Sequence, residues 1–370
     1  MKKATIFLIL IISIASCTNK SEGYKIQGHI SGVENAKAVL WENKFDSGWT
    51  VIDSTRILNN EFTFEDILSI PKPYYLTISG VEGDALIIVE NSNISLVINK
   101  NNLKEMLVTG SVSHKQYTDY TTYRNSNFDK KIMDLKKTRS IANQTKDSVL
   151  IDSINKQIDL INAMLIDNLK SYVRENNASV VAPFIVCNPP ERNLLSNSDI
   201  RELLDIFDPS IEESNDVKKL ESWHAGILNK TIGSPITHLI INDTIGNPIS
   251  TSNLKGRYWL LDFWSSKCGP CRKGHPELKE VYKKFKAKGF EIYAVSFDSK
   301  RDEWIQAIKK DGIEWIQVCE LNGWGNKARS LYSIEYIPQN LLVNDDGIII
   351  ASGLSAQKLE NMLFEAYKTE

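Results

Sequence analysis

A chain of 370 residues carries 44 Lys and Arg against 46 Asp and Glu, which gives a formal net charge of −2 at pH 7. This length has room for about two or three domains, and the 42% apolar and 24% charged fractions are those of ordinary globular proteins. The near-neutral balance without a basic cluster excludes nucleic acid as a partner, and 5 cysteines are too few to hold a fold of this size by disulfides.

The first residues predict export from the cytoplasm. A basic start is followed by the apolar run from Ile6 to Ile14, which is too short to span a bilayer. Small residues then precede Cys17, a pattern that resembles the lipobox of bacterial lipoproteins, in which the cysteine is acylated. The resemblance implies a signal peptide over residues 1–16 and a tether over residues 17–23, with an ordinary secretory signal as the alternative. Thr18 after the acylated cysteine favours the outer membrane, with the protein facing the periplasm.

Residues 24–110 predict an all-β domain. Short runs of β-branched and aromatic residues, such as Tyr74 to Ile78 and Ile94 to Ile98, are separated by turn-prone pairs such as Asn59-Asn60. Many short strands at this spacing indicate a β-sandwich-like domain or an open barrel. No catalytic constellation occurs in this region.

Residues 111–230 predict a helical segment. Apolar residues recur at steps of three and four from Val149 to Val173, which is the pattern of one apolar face on a long amphipathic helix. Asn176 and Asn177 predict its end. Such a face usually packs against its own chain, and a dimer or partner surface is the alternative.

Residues 231–370 alternate between strand and helix patterns, which is typical of an α/β domain. A buried strand is predicted from Tyr258 to Trp264, followed by a helix that starts at Cys268 and ends near Gly289. The predicted fold class is therefore multidomain, with an N-terminal all-β domain, a helical middle segment and a C-terminal α/β domain.

The motif Cys268-Gly269-Pro270-Cys271 directly follows the predicted strand. Two cysteines at this spacing can form and open a small disulfide ring, and a helix N-terminus stabilises the thiolate that attacks a disulfide. Proline suits the first turn of a helix because its missing N–H group costs little there. Zinc would need a second pair of ligands, and the remaining cysteines are isolated, so no metal site is predicted.

The run from Leu261 to Arg272 resembles the active site of the thioredoxin superfamily. Gly233-Ser234-Pro235, Leu254-Lys255-Gly256-Arg257 and Tyr336-Ile337-Pro338 resemble the exported TlpA/ResA-like branch of that superfamily. The resemblance covers residues 231–370 and implies a thioredoxin-like fold with thiol-disulfide exchange as its activity. The regions before it resemble the N-terminal extension of thiol-disulfide lipoproteins of Gram-negative bacteria.

The same resemblance implies a role for each matching residue. Cys268 matches the attacking cysteine and Cys271 the resolving one, and no cofactor beyond this redox-active pair is implied. Asp262 matches the buried acid behind the pair, whose raised pKa would let it accept the proton of Cys271. Pro338 matches a cis-proline beside the disulfide, and the main chain before it would pair with an extended substrate. The residues expected to bind substrate are Ile337, Pro338, Gly269, Pro270 and Trp264.

Two residues near the pair, Lys267 and Gly274, depart from the family pattern. Lys267 stands where thioredoxins usually carry Trp, and its charge either stabilises the Cys268 thiolate or is solvated. Gly274 stands where many ResA-like proteins carry glutamate, so a role in cytochrome c maturation is not carried over. The neighbouring His275 is expected at the surface.

The predicted function is that of an exported oxidoreductase which reduces the disulfides of envelope proteins. A membrane electron donor would have to re-reduce it, because the cell envelope is generally oxidising. The Gly-Pro insert resembles that of thioredoxin and favours this direction. A disulfide-forming oxidase would use the same residues in reverse, and a redox-sensing lipoprotein with a ligand-binding N-terminal region is the further alternative.

Overall fold

The computed structural model describes residues 22–33, 35–44, 48–254 and 256–368, which form two compact units. The first unit extends to Arg192 and includes Phe207–Asp216, and the second comprises Asn193–Ile206 and the chain from Val217 onward. The predicted helical segment 111–230 is therefore divided between the two units. The predicted signal peptide, the acylation site Cys17 and residues 18–21 of the tether lie outside the described residues.

The first unit begins with β-strands that pair, within the described residues, as two four-stranded sheets of order β4-β1-β7-β8 and β3-β2-β5-β6. These strands are β1 (Tyr24–Ile30), β2 (Lys37–Lys44), β3 (Gly48–Arg56), β4 (Glu61–Asp66), β5 (Lys72–Ile78), β6 (Ala85–Val89), β7 (Asn93–Ile98) and β8 (Leu107–Thr109).

The two sheets pack as a sandwich because alternate residues of their strands enter one shared core. In the first sheet, Ile26 of β1 lies opposite Phe64 of β4 and Ile94 of β7. In the second sheet, Leu40 of β2 lies opposite Leu76 of β5, and these side chains are fully buried in the same core. The predicted β-rich N-terminal domain is confirmed.

The helical part of the first unit follows the sandwich, with a π-helical turn at Asn125–Asp129 after its first helix. Its helices are α1 (Val112–Arg124), α2 (Lys130–Thr145), α3 (Ser148–Glu175) and α4 (Val181–Cys187). The short helix α5 (Glu191–Leu194) contains the boundary between the two units. Asp147 caps α3 by accepting a hydrogen bond from the Leu150 amide. The buried positions Ile154, Ile158 and Leu165 follow the predicted spacing, and the predicted long helix is confirmed.

The second unit contains the predicted alternation of helices and strands. Its elements are α6 (Asn197–Ile206), α7 (Asn215–Leu228), β9 (Ile240–Asn242), β10 (Pro248–Ser250), β11 (Tyr258–Trp264), α8 (Gly269–Phe285), β12 (Phe290–Ser296), α9 (Arg301–Asp311), β13 (Ile316–Cys319), α10 (Lys327–Leu331), β14 (Gln339–Asn344), β15 (Ile349–Ser352) and α11 (Ala356–Ala366).

The central sheet of the second unit has the order β13-β12-β11-β14-β15, with β12 parallel and β14 antiparallel to β11. Helices α8, α9 and α11 contribute to the core on one face, while α10 and the segment around β9 contribute to the core on the other. Because both faces are covered, residues 259–264 of β11 are buried without a break. The predicted α/β domain is confirmed. No helix in the described part of the chain combines the length and apolarity needed to cross a bilayer.

Candidate active site

The cysteine pair lies where β11 leads into α8, at the carboxyl end of the central strand. Cys268 is the N-cap of α8, and its sulfur accepts a hydrogen bond from the Cys271 amide at 3.2 Å. The two cysteines form a disulfide with their Cα atoms 5.3 Å apart. Pro270 occupies the first turn of the helix. An amide donor and the positive end of the helix dipole thus converge on the Cys268 sulfur, which stabilises a thiolate there once the bond is reduced.

Access to the disulfide is limited to one side. Cys268 is 9% exposed and Cys271 is 6% exposed, whereas Gly269 and Pro270 between them are exposed. A substrate disulfide can therefore approach the pair over the Gly-Pro turn, while the rest of the ring faces the core.

Asp262 is buried within β11, with backbone partners Ala294 on β12 and Asn340 on β14. Burial raises the pKa of its carboxyl group from 3.8 to about 7. No hydrogen bond or ion pair reaches this carboxyl group from the described residues, so burial alone accounts for the shift. A carboxyl group with this pKa can take up and release a proton near neutral pH, as the predicted proton acceptor for Cys271 must.

The peptide bond between Ile337 and Pro338 is cis, as expected from the family resemblance. Pro338 is exposed, and Ile337 packs against the core cluster that contains both cysteines. Tyr336 before them is also exposed. The segment 336–338 is thus partly exposed beside the core cluster of the disulfide, and its pairing with an extended substrate stays a prediction.

Trp264 lies inside the core rather than at the surface. The side chain is 1% exposed, and its indole N–H donates a 3.0 Å hydrogen bond to the side-chain oxygen of Gln317. It has no exposed surface for a substrate to touch, in contrast to its predicted substrate contact. Its position in the cluster with Cys268 and Cys271 makes it part of the packing beneath the disulfide.

The expectation that His275 lies at the surface is wrong. The ring is buried, packs edge-to-face against Trp264 and Trp315, and has Nδ1 2.9 Å from a carboxylate oxygen of Asp311. Burial lowers the pKa of His275, and the Asp311 carboxylate opposes that shift only in part. His275 thus lies on the buried face of α8.

Lys267 is an exposed side chain that forms an ion pair, and an effect of its charge on the Cys268 thiolate stays a prediction. Its ammonium group lies 2.9 Å from a carboxylate oxygen of Glu303, and the side chain is 71% exposed. This carboxylate raises the pKa of Lys267. The charge nearest to Cys268 in sequence is thus paired with an acid at the surface. Gly274 is exposed, with open space where a side chain would start.

Asp298 supports the loop before Cys268 and was missed in the sequence. Its buried carboxylate accepts hydrogen bonds from the Ser266 amide at 2.8 Å, the Ser266 hydroxyl at 2.6 Å and the Ser296 hydroxyl at 2.7 Å. Asp298 follows β12, which runs parallel to β11, so both strands deliver their next residues to one edge of the sheet. An acid just after the neighbouring parallel strand was the available signal.

We expect Asp298→Ala to destabilise the second unit by about 3 kcal/mol, because several hydrogen bonds to a buried charge are lost together. Urea unfolding of the oxidised protein measures the change. Glu277→Ala is a suitable control, because this acid on α8 is exposed and its loss should leave the midpoint nearly unchanged. An equal shift in both variants would contradict a supporting role for Asp298.

The described residues contain no group of three or more His, Cys, Asp and Glu side chains placed to hold a metal ion. Cys187 and Cys319 are buried thiols that take no part in a disulfide, and they lie in different units.

Two family models match this chain. The one described as thioredoxin-like matches residues 256–349, and a domain of unknown function, DUF4369, matches residues 24–117. The thioredoxin-like match contains the cysteine pair, Asp262 and Pro338. The function of the DUF4369 region is not given by its match.

Curated relatives resemble the C-terminal part of the chain. The thiol-disulfide oxidoreductase ResA of Bacillus cereus is 28% identical over 131 residues, which are 35% of this chain and 74% of that protein. The protein of the same name from Bacillus subtilis is 30% identical over 118 residues, which are 32% of this chain and 64% of that protein.

Among solved structures, the thioredoxin domain of a thiol-disulfide oxidoreductase from Bacteroides vulgatus is 36% identical. The match covers 36% of this chain and 96% of that one, with a TM-score of 0.35. A thiol-disulfide oxidoreductase from Bacteroides fragilis is 32% identical over 36% of this chain and 99% of its own, with a TM-score of 0.34. The family model and the curated relatives agree that the domain carrying the disulfide is thioredoxin-like and is similar to that of thiol-disulfide oxidoreductases.

Proposed function

We propose that this protein reduces disulfides in other proteins of the cell envelope, by cycling Cys268 and Cys271 between dithiol and disulfide. The observation that carries the proposal is the placement of the Cys268 sulfur at the N-terminus of α8, beside the exposed Gly269 and Pro270. The reducing direction is supported by the Gly-Pro insert, which resembles that of thioredoxin.

The reaction starts from the reduced pair. The Cys268 thiolate attacks one sulfur of the substrate disulfide, forms a mixed disulfide, and releases the other substrate sulfur as a thiolate that takes up a proton. Asp262 then accepts the proton of the Cys271 thiol, and the resulting thiolate attacks the Cys268 sulfur. The mixed disulfide breaks, the second substrate thiol leaves, and the Cys268–Cys271 bond forms. Two electrons have passed from the protein to the substrate.

The substrate binds, in this proposal, across the exposed rim of the pair. The main chain before Pro338 pairs with an extended segment of the substrate, and the Gly269-Pro270 turn contacts the residues beside its disulfide. Main-chain pairing recognises extended backbone and not a particular side chain, so the proposed substrate class is any envelope protein that can present a disulfide on such a segment.

The proposed location follows from the start of the sequence. Acylation of Cys17 anchors the mature protein to a membrane, facing the periplasm, with the outer membrane as the proposed site. In that compartment glutathione and thioredoxin do not keep thiols reduced. A membrane electron donor therefore supplies two electrons to the Cys268–Cys271 disulfide after each turnover.

The reduction potential of the Cys268–Cys271 pair tests this direction. The full chain is equilibrated with dithiothreitol buffers of graded ratio, the free thiols are alkylated, and mass spectrometry counts the modified cysteines. A potential near that of thioredoxin, about −270 mV, is expected of a reductant. A value near −120 mV, typical of strong disulfide donors, would contradict the proposed direction and favour the oxidase.

A further inference from the structure

Asp311, the last residue of α9, binds several side chains on one face of the active-site helix. Its carboxylate accepts a hydrogen bond from Arg272 Nε at 2.9 Å and lies 2.9 Å from His275 Nδ1, while its carbonyl oxygen accepts from Lys279 Nζ at 3.0 Å. Residues 272, 275 and 279 are neighbours on a helix surface, one or two turns apart. One acid from another helix thus fixes the first two turns of α8 after Cys271.

Arg272 brings a permanent positive charge to the start of α8, directly after the cysteine pair. It directly follows Cys271, its amide donates to the Cys268 carbonyl oxygen at 3.1 Å, and its Nη1 lies 3.5 Å from the Ser266 carbonyl oxygen. The Arg272 side chain is 28% exposed and that of Asp311 is 12% exposed, so solvent screens this pair less than a surface pair.

The charged groups on this face are Arg272, Asp311 and, two turns further along the helix, Lys279. Hydrogen bonding from Arg272 lowers the pKa of Asp311, so the carboxylate is charged at neutral pH. Burial lowers the pKa of His275, so the ring adds little positive charge there. Only the Lys279 ammonium group, bound to the main chain of Asp311, adds a second cation, and it lies two turns further along the helix.

We propose that Asp311 is a positioning residue that keeps the Cys268–Cys271 pair strongly reducing, because it neutralises Arg272 and holds its guanidinium group in place. A free cation at the start of α8 would stabilise the Cys268 thiolate and with it the reduced form, which makes a pair more oxidising. This inference rests on the redox chemistry of the proposed function and adds the residue that sets its direction.

The test compares variants of the full chain in equilibrium with dithiothreitol. In this equilibrium the Cys268–Cys271 bond breaks and takes up two electrons and two protons, while dithiothreitol is oxidised to its cyclic disulfide. We expect Asp311→Asn to shift the equilibrium constant about threefold to tenfold toward the dithiol, which is a rise in potential of about 14 to 30 mV.

A shift of the equilibrium in the opposite direction in a second variant distinguishes this proposal from a merely structural role of Asp311. Arg272→Gln leaves the Asp311 carboxylate without its cation and should shift the equilibrium in the opposite direction, toward the disulfide. The double variant removes both charges and should return to within about twofold of the unsubstituted protein. Asp311→Glu keeps the charge and should also remain within about twofold.

The exposed pair Lys267–Glu303 supplies the matched control. Glu303→Gln also frees a cation next to the cysteine motif, but solvent and salt screen it, so we expect less than a twofold shift. Where Asp311→Asn folds poorly, Arg272→Gln tests the same charge on its own. Shifts of both single variants in one direction, or no shift in either, would overturn the proposal. The absolute potential of the unsubstituted protein tests the proposed function separately, since only differences between variants enter here.

Discussion

Cys268→Ser is expected to abolish thiol-disulfide exchange, and Cys271→Ser is expected to arrest it as a stable mixed disulfide. The first change removes the attacking sulfur at the N-terminus of α8, and hydroxyl oxygen does not attack a disulfide at a useful rate. The second change leaves that sulfur able to attack but removes the thiol that would release the substrate. We expect a loss of turnover of at least about a thousandfold in both variants.

Reduction of insulin or a similar disulfide protein by the full chain measures the turnover, and non-reducing electrophoresis detects the trapped complex. Cys187→Ala is the control, because it removes a buried thiol of the first unit and should leave turnover unchanged. Turnover that survives in Cys268→Ser, or mixed disulfides that accumulate equally in both serine variants, would contradict the assigned order of attack and release.

The C-terminal fold was predictable because its signals are local. A mostly apolar run such as Tyr258 to Trp264, interrupted only by Asp262, fits a strand that is covered on both faces, and the cysteine motif after it fits a strand-to-helix turn. Gly289 adopts the left-handed conformation, with φ of 91°, that ends the helical region after α8 as its residue type predicts. The cis bond before Pro338, by contrast, was expected from family resemblance and not from the local sequence.

Contacts between distant residues were not predictable from the local pattern. Asp298 is 32 positions from Ser266, and Asp311 is 39 positions from Arg272. The first contact depends on the parallel pairing of β11 with β12, and the second depends on how α8 and α9 are placed against the same face of the sheet. The buried state of His275 had a signal in the helical spacing, because the residue lies four positions after Cys271 and seven before Tyr282, which are also buried.

The division of the helical segment was also not predictable from periodicity. The helices α3 and α6 both have apolar stripes, yet α3 belongs to the unit of the β-sandwich and α6 to the unit of the disulfide. An apolar stripe shows that a helix packs against something, and it does not identify the partner. The sequence therefore indicated helices correctly without assigning them to the units in which they pack.

Asp262→Asn is expected to stabilise the oxidised protein above neutral pH while it slows exchange. Burial raises the pKa of the Asp262 carboxyl group to about 7, whereas in the unfolded chain it ionises near 3.8. Between these values the folded state holds a proton that the unfolded state has released, so stability falls as pH rises from about 4 to 7. The loss amounts to about 4 kcal/mol at 1.36 kcal/mol per pKa unit and is constant at higher pH.

The asparagine variant lacks this ionisation, so the fall in stability caused by Asp262 should be absent from its pH profile, and at pH 8 its stability should exceed that of the unsubstituted protein by about 2 to 4 kcal/mol. Urea unfolding of the oxidised full chain between pH 4 and pH 9 measures the difference. The relevant transition is the one that also shifts when the Cys268–Cys271 bond is reduced, because it reports the second unit.

The same substitution should lower the rate of exchange by about a hundredfold at pH 7, because the amide cannot accept the proton of Cys271. Glu277→Gln is the matched control, since it removes an exposed acid from α8 and should alter neither property. A stability gain without a slower release of the mixed disulfide would show that Asp262 is buried at a cost in stability but takes no part in proton transfer. A slower release of the mixed disulfide, together with the loss of the pH-dependent fall in stability, would show that the acid whose burial lowers stability also accepts the proton of Cys271.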